Sequence, residues 1–195
     1  MNGSLSIKKE AVRWSKTDTD AYLTVGAVGL LAGILVTFAR MPLHMPGHKV
    51  LWWMTPVLTS RLLTRTKAGA ITGALATALS TMLLGGRLAG GIIMMPMVVF
   101  AGALLDLTAG IVERSSVTRG RALLWFALAG TVGNLACSMN RLFEPLGGFF
   151  SARNINDLLW TAGSYAFFGF LAGLLGAAAG YAISRVRASP KMPQS

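Results

Sequence analysis

The chain has 195 residues, 53% hydrophobic and only 13% charged, with 18 Lys and Arg against seven Asp and Glu and a net charge of +11. Soluble domains carry roughly 25% charged residues, so a water-soluble fold of this composition lacks the polar surface to cover its core, a need that a bilayer removes. The basic residues sit in short clusters between long apolar runs, a distribution that argues against a nucleic-acid-binding face and fits signals of membrane topology.

The first twenty residues hold Lys8, Lys9, Glu10, Arg13, Lys16, Asp18 and Asp20. They read as a cytoplasmic N-terminal segment before an uncleaved first helix, Ala21–Ala39. A spanning helix needs about 20 apolar residues, and the runs that follow are Val50–Ser60, Ala68–Gly85, Leu88–Val112, Ala122–Met139 and Leu158–Ser184. The second is short. It is expected to extend through Leu62 and Leu63, with Arg61 snorkelling to the surface. Counting it as a crossing places Lys8, Lys9, Arg13, Lys16, Arg61, Arg65, Lys67, Arg114, Arg119, Arg121, Arg185, Arg187 and Lys191 on one side. Only Arg40, Lys49, Arg87, Arg141 and Arg153 remain on the other. The positive-inside rule therefore favours six crossings with both termini cytoplasmic. The expected fold is all-α: an integral membrane bundle of six helices over 21–184 and a cytoplasmic tail over 185–195, in the cell (plasma) membrane.

Small residues recur at four-residue spacing, as Gly29 and Gly33 in the first segment, Ala70, Ala74 and Ala78 in the third, and Gly169 and Gly173 in the sixth. Membrane helices associate by close backbone approach at such stripes. Two readings are open: packing inside the bundle, or docking of a partner membrane protein on Gly29 and Gly33.

Both histidines lie between the first two segments, in Met41-Pro-Leu-His44-Met-Pro-Gly-His48. With methionines beside them, His44 and His48 are candidate ligands of a soft or borderline metal. The other readings are an ordinary polar loop, or a loop that closes over an organic ligand. Trp52 and Trp53 follow, as interfacial anchors or aromatic walls. On the expected topology Asn134 and Asn140 of the fifth segment, Trp160, Ser164 and Tyr165 of the sixth, and Met94 of the fourth share the outer half. That mixture suits an apolar site with a few placed polar groups, although interhelical hydrogen bonds would use the same residues. Asp106 is the one acid inside an apolar run. A charge there is expensive, and its place near the cytoplasmic end points to pairing with a basic residue. One cysteine, Cys137, excludes an intramolecular disulfide framework. No phosphate-binding Gly-rich loop is present, and no acid–base pair is evident, so an enzyme is not expected.

The Pro-rich stretch Met41-Pro…Met45-Pro-Gly leads into the second segment, and Leu63-Thr-Arg-Thr-Lys67 turns into Ala68-Gly-Ala-Ile-Thr-Gly-Ala-Leu. Together with the size and topology of the whole chain, this pattern resembles the substrate-binding S components of energy-coupling-factor transporters. The resemblance implies a subunit that captures a vitamin-like small molecule or a metal ion from outside. A transmembrane coupling subunit and ATPase subunits would supply ATP-driven release, with no cofactor in this chain. Two departures stand out. Gly29 and Gly33 occupy the place of the family's paired alanines, and the chain begins Met-Asn-Gly, so the Met-His metal site of the nickel and cobalt members does not carry over. The alternatives are a self-sufficient secondary transporter or channel, and a membrane scaffold without ligand.

Overall fold

A computed structural model describes residues 16–39, 45–85, 94–142 and 155–188. Its elements are α1 (Lys16–Phe38), α2 (Val50–Thr64), α3 (Gly69–Leu83), α4 (Met94–Arg114), α5 (Arg119–Leu142) and α6 (Ile155–Ala188). No strand occurs among the described residues. Residues 1–15 and 189–195, His44, the expected start of the fourth segment at Leu88, and most of the stretch between α5 and α6 lie outside the description.

Four helices, α1, α4, α5 and α6, are long and apolar enough to cross a membrane. The remaining two, α2 and α3, have 15 residues each, about 22 Å at 1.5 Å per residue, against a hydrocarbon core of roughly 30 Å. The helices form a closed ring in the order α1, α3, α4, α5, α6, α2, and α2 also touches α3 and α4. The short α2 is thus among the most enclosed helices, with Met54, Val57 and Leu58 fully buried.

Local sequence sets the two ends of α2. Gly47 takes a positive φ of 83°, a conformation open to glycine at little cost. Tight bonds then start the helix, from Val50 N–H to Gly47 O (3.2 Å), Leu51 to His48 and Trp52 to Lys49. At the other end Arg65 caps the helix in the left-handed region, its N–H donating to Arg61 O at 2.9 Å. The helix reaches Thr64, one residue past the expected extension through Leu62 and Leu63.

Small residues hold the ring together. A Cβ on Gly130 would collide with the Gly169 carbonyl, and one on Gly169 with the Gly130 carbonyl, so α5 and α6 meet backbone to backbone. On α1, Gly29 abuts the backbone of Gly73, while Gly33 abuts Thr77 and Ser80. The Gly29 and Gly33 stripe therefore packs α1 onto α3 within the chain, and the docking role expected for it is corrected to internal packing. The face that α1 leaves exposed carries Leu23, Leu31 and Phe38 instead. Exposed Leu, Phe and Val side chains on α4, α5 and α6 continue this apolar exterior, as expected where lipid is the solvent.

Hydroxyls add a second link between helices. Thr77 Oγ1 lies 2.9 Å from Gly29 O on α1 and 2.8 Å from Gly73 O on its own helix. Thr59 Oγ1 likewise lies 3.1 Å from Gly176 O on α6 and 2.9 Å from Thr55 O. A hydroxyl has one hydrogen to donate, so each serves one of its two carbonyls at a time.

Candidate functional site

The bundle has two distinct ends. One gathers the start of α2, the start of α4, the last third of α5 and the first third of α6. There the turn Met45–Lys49 covers a cavity of about 130 Å³, walled by Val50, Trp53, Met94, Val98, Asn134, Cys137 and Tyr165. Those seven walls are buried.

Hydrogen bonds seat the turn. Ser164 Oγ donates to Pro46 O at 2.6 Å. Asn134 Nδ2 donates to Tyr165 O at 2.7 Å and reaches Gly47 O at 3.4 Å. Gly47 lies directly over Tyr165, where an added Cβ would press on the Tyr165 backbone and ring at 3.0 Å. His48 Nδ1 donates to Met45 O at 2.6 Å. A carbonyl oxygen only accepts, so Nδ1 carries the hydrogen of this bond. The His48 ring also stands edge-on to Phe168, 6.3 Å between centroids.

Of the residues expected at a site, this end brings together His48, Trp53, Met94, Asn134 and Tyr165 around the cavity, with Ser164 as a support behind the turn. Trp52 packs against the core outside the cavity. Trp160 is 60% exposed and faces outward, a position suited to a membrane interface. The Asn140 side chain and His44 lie outside the description. Sequence reasoning missed Val50, Val98 and Cys137. Cys137 is one helical turn past Asn134, and that spacing was the available signal.

The opposite end is electrostatic. Arg61 is 1% exposed, and its Nε donates to Asp106 Oδ1 at 2.8 Å while Nη1 donates to Glu113 Oε1 at 2.8 Å. Asp106 Oδ2 accepts the Ile71 N–H at 2.9 Å from the first turn of α3. One guanidinium thus ties α2, α3 and α4. Asp106 pairs with a basic residue, as expected. Arg61 does not snorkel, because two carboxylates compensate its charge inside the protein. Asp106 and Glu113 lie seven residues apart, so both project from one face of α4. Two larger cavities, about 450 and 410 Å³, flank this cluster. The larger is rimmed by exposed Leu107, Ile111 and Arg114, so it opens on the outside of the bundle.

Among the described residues no group of three His, Cys, Asp or Glu is placed to hold a metal ion. The chain matches no protein-family model, no curated protein and no solved structure. What fold and composition define is a helical bundle compatible with a multi-pass membrane protein.

Proposed function

We propose that this chain is the membrane-embedded, substrate-binding subunit of an importer of the energy-coupling-factor type, crossing the cell membrane six times with both termini inside. The observation that carries the reading is the cavity beneath the Met45–Lys49 turn, apolar walls with a few inward polar groups under a short cover. Such a site suits capture of a small organic molecule. His48 Nε2 and Asn134 offer hydrogen bonds, while Trp53 and Tyr165 offer aromatic faces. The lining offers His48, Cys137, Met45 and Met94 to a soft metal, but no group of three His, Cys, Asp or Glu among the described residues is placed to hold one, which favours an organic ligand.

Topology follows from charge. Arg65, Lys67, Arg114, Arg119, Arg121, Arg185 and Arg187 belong to the Arg61 end, which on the positive-inside rule is cytoplasmic. The short α2 crosses because α1, α3 and α6 shield it, so protein rather than lipid meets its ends. Import would then be driven by a coupling membrane subunit and ATPases. A proton-driven transporter acting alone needs a carboxyl free to exchange its proton, and Asp106 is held by Arg61 and Ile71.

Cys137, the sole cysteine, lines the cavity and supplies the test. The protein is purified from its native membrane, extracted small molecules and metals are identified by mass spectrometry, and maleimide labelling of Cys137 is timed. The reading expects a stoichiometric organic compound whose return to stripped protein slows labelling at least about tenfold. It also expects ATPase subunits to co-purify. An empty protein that labels at one rate throughout, and carries no ATPase partner, would instead support the scaffold reading.

A further inference from the structure

The groove between α3 and α4 at the Arg61 end combines an apolar floor with a charged rim. Its floor is Ala103, Leu107, Gly110 and Ile111, with Leu107 61% and Ile111 50% exposed, while Lys67 and Arg114 stand at its rim. The two acids in the groove, Asp106 and Glu113, each place one oxygen on Arg61. That trio carries one net negative charge, and the two rim cations turn the groove net positive. Gly110 leaves the floor open, since a Cβ built there meets nothing within 4 Å.

We infer that this groove is a binding site for an acidic phospholipid of the cytoplasmic leaflet, its phosphate held by Lys67 and Arg114 and an acyl chain lying along Ala103, Leu107 and Ile111. The inference rests on the membrane reading with the Arg61 end inside, and is independent of transport. Charge complementarity commits the groove to this occupant: basic pockets between membrane helices on the cytoplasmic side collect anionic headgroups. A zwitterionic lipid gains the apolar contact without the net attraction. A second protein chain would have to bring its own acid to the rim.

The test uses the full chain in detergent, with native mass spectrometry counting bound lipid at matched phosphatidylglycerol and phosphatidylcholine of the same acyl chains. Phosphatidylglycerol should bind about tenfold more tightly. Lys67→Gln with Arg114→Gln should abolish that preference, and Gly110→Leu, which fills the floor, should displace the acidic lipid. All three positions lie outside the packed core, so the lipid-free melting temperature should match that of the parent. Equal binding of the two lipids, or a preference that survives the double substitution, overturns the assignment. Inorganic phosphate competing as well as the lipid would also overturn it, by showing that the apolar floor takes no part.

Discussion

The two ends of the bundle close by different physics. At the Arg61 end three helices converge on one buried guanidinium and two carboxylates. At the other end a five-residue turn rests on side-chain hydrogen bonds from Ser164 and Asn134 and on the contact between Gly47 and Tyr165. Removing one member of a buried ion pair leaves an uncompensated charge, whereas losing one neutral hydrogen bond is modest. The contrast teaches that the two ends differ in how much is lost when one contact is removed, a difference that the proposed binding site under the turn would use.

The largest effect is expected where that contrast is strongest. Arg61→Ala should destabilise the protein by about 3–5 kcal/mol, because Asp106 stays buried without its charge partner. Thermal unfolding in detergent reads this. Asp106→Asn should lose less, since Arg61 keeps Glu113. The apolar pair Arg61→Met with Asp106→Leu should regain much of the loss. If that pair unfolds as readily as Arg61→Ala, shape rather than charge holds this end.

Next comes the helix seam that joins the two ends. Gly29→Leu sets a side chain against the Gly73 backbone and should lower stability by about 1–3 kcal/mol, in purified protein with no partner present. Leu31→Ala, on the exposed face of the same helix, should leave the melting temperature unchanged. Equal effects would mean that α1 does not pack through its glycines.

At the turn, Asn134→Leu should cost about 1 kcal/mol while raising the Cys137 labelling rate several-fold, because Gly47 loses its tether. Ser164→Ala should raise the labelling rate at least as much, since it removes the 2.6 Å bond to the Pro46 carbonyl, the shorter of the two that seat the turn. A labelling rate untouched by both would place the opening elsewhere.

Much of the helical plan was readable in advance, because long apolar runs between basic clusters have few other uses. Segment boundaries were readable to within a few residues where charge marks them, as at Arg114 and Arg119. The extension of α2 past Ser60 was readable as far as Leu63, but the burial of Arg61 was not, because a cation near the end of an apolar run is expected to reach for the surface. Its true partners sit 45 and 52 residues away, and no local pattern couples α2 to α4. The pairing of Asp106 could be anticipated from the expense of a lone buried charge, but not which cation answers it. The cavity residues were recognised in part, through polar groups in apolar helices. Apolar walls such as Val50 and Val98 carry no such mark, and only the closed ring of helices brings them together.

Thr59 and Thr77 have a mechanical consequence. Each hydroxyl stands between a carbonyl of a neighbouring helix and one of its own. When α1 slides along α3, or α6 along α2, the hydrogen can swing home without any donor going unserved. Those two hydroxyls let the α1–α3 and α2–α6 seams keep a hydrogen bond through a small shift. The glycine contacts of α1 with α3 and of α5 with α6, where carbonyl meets bare backbone, set how far either pair can move.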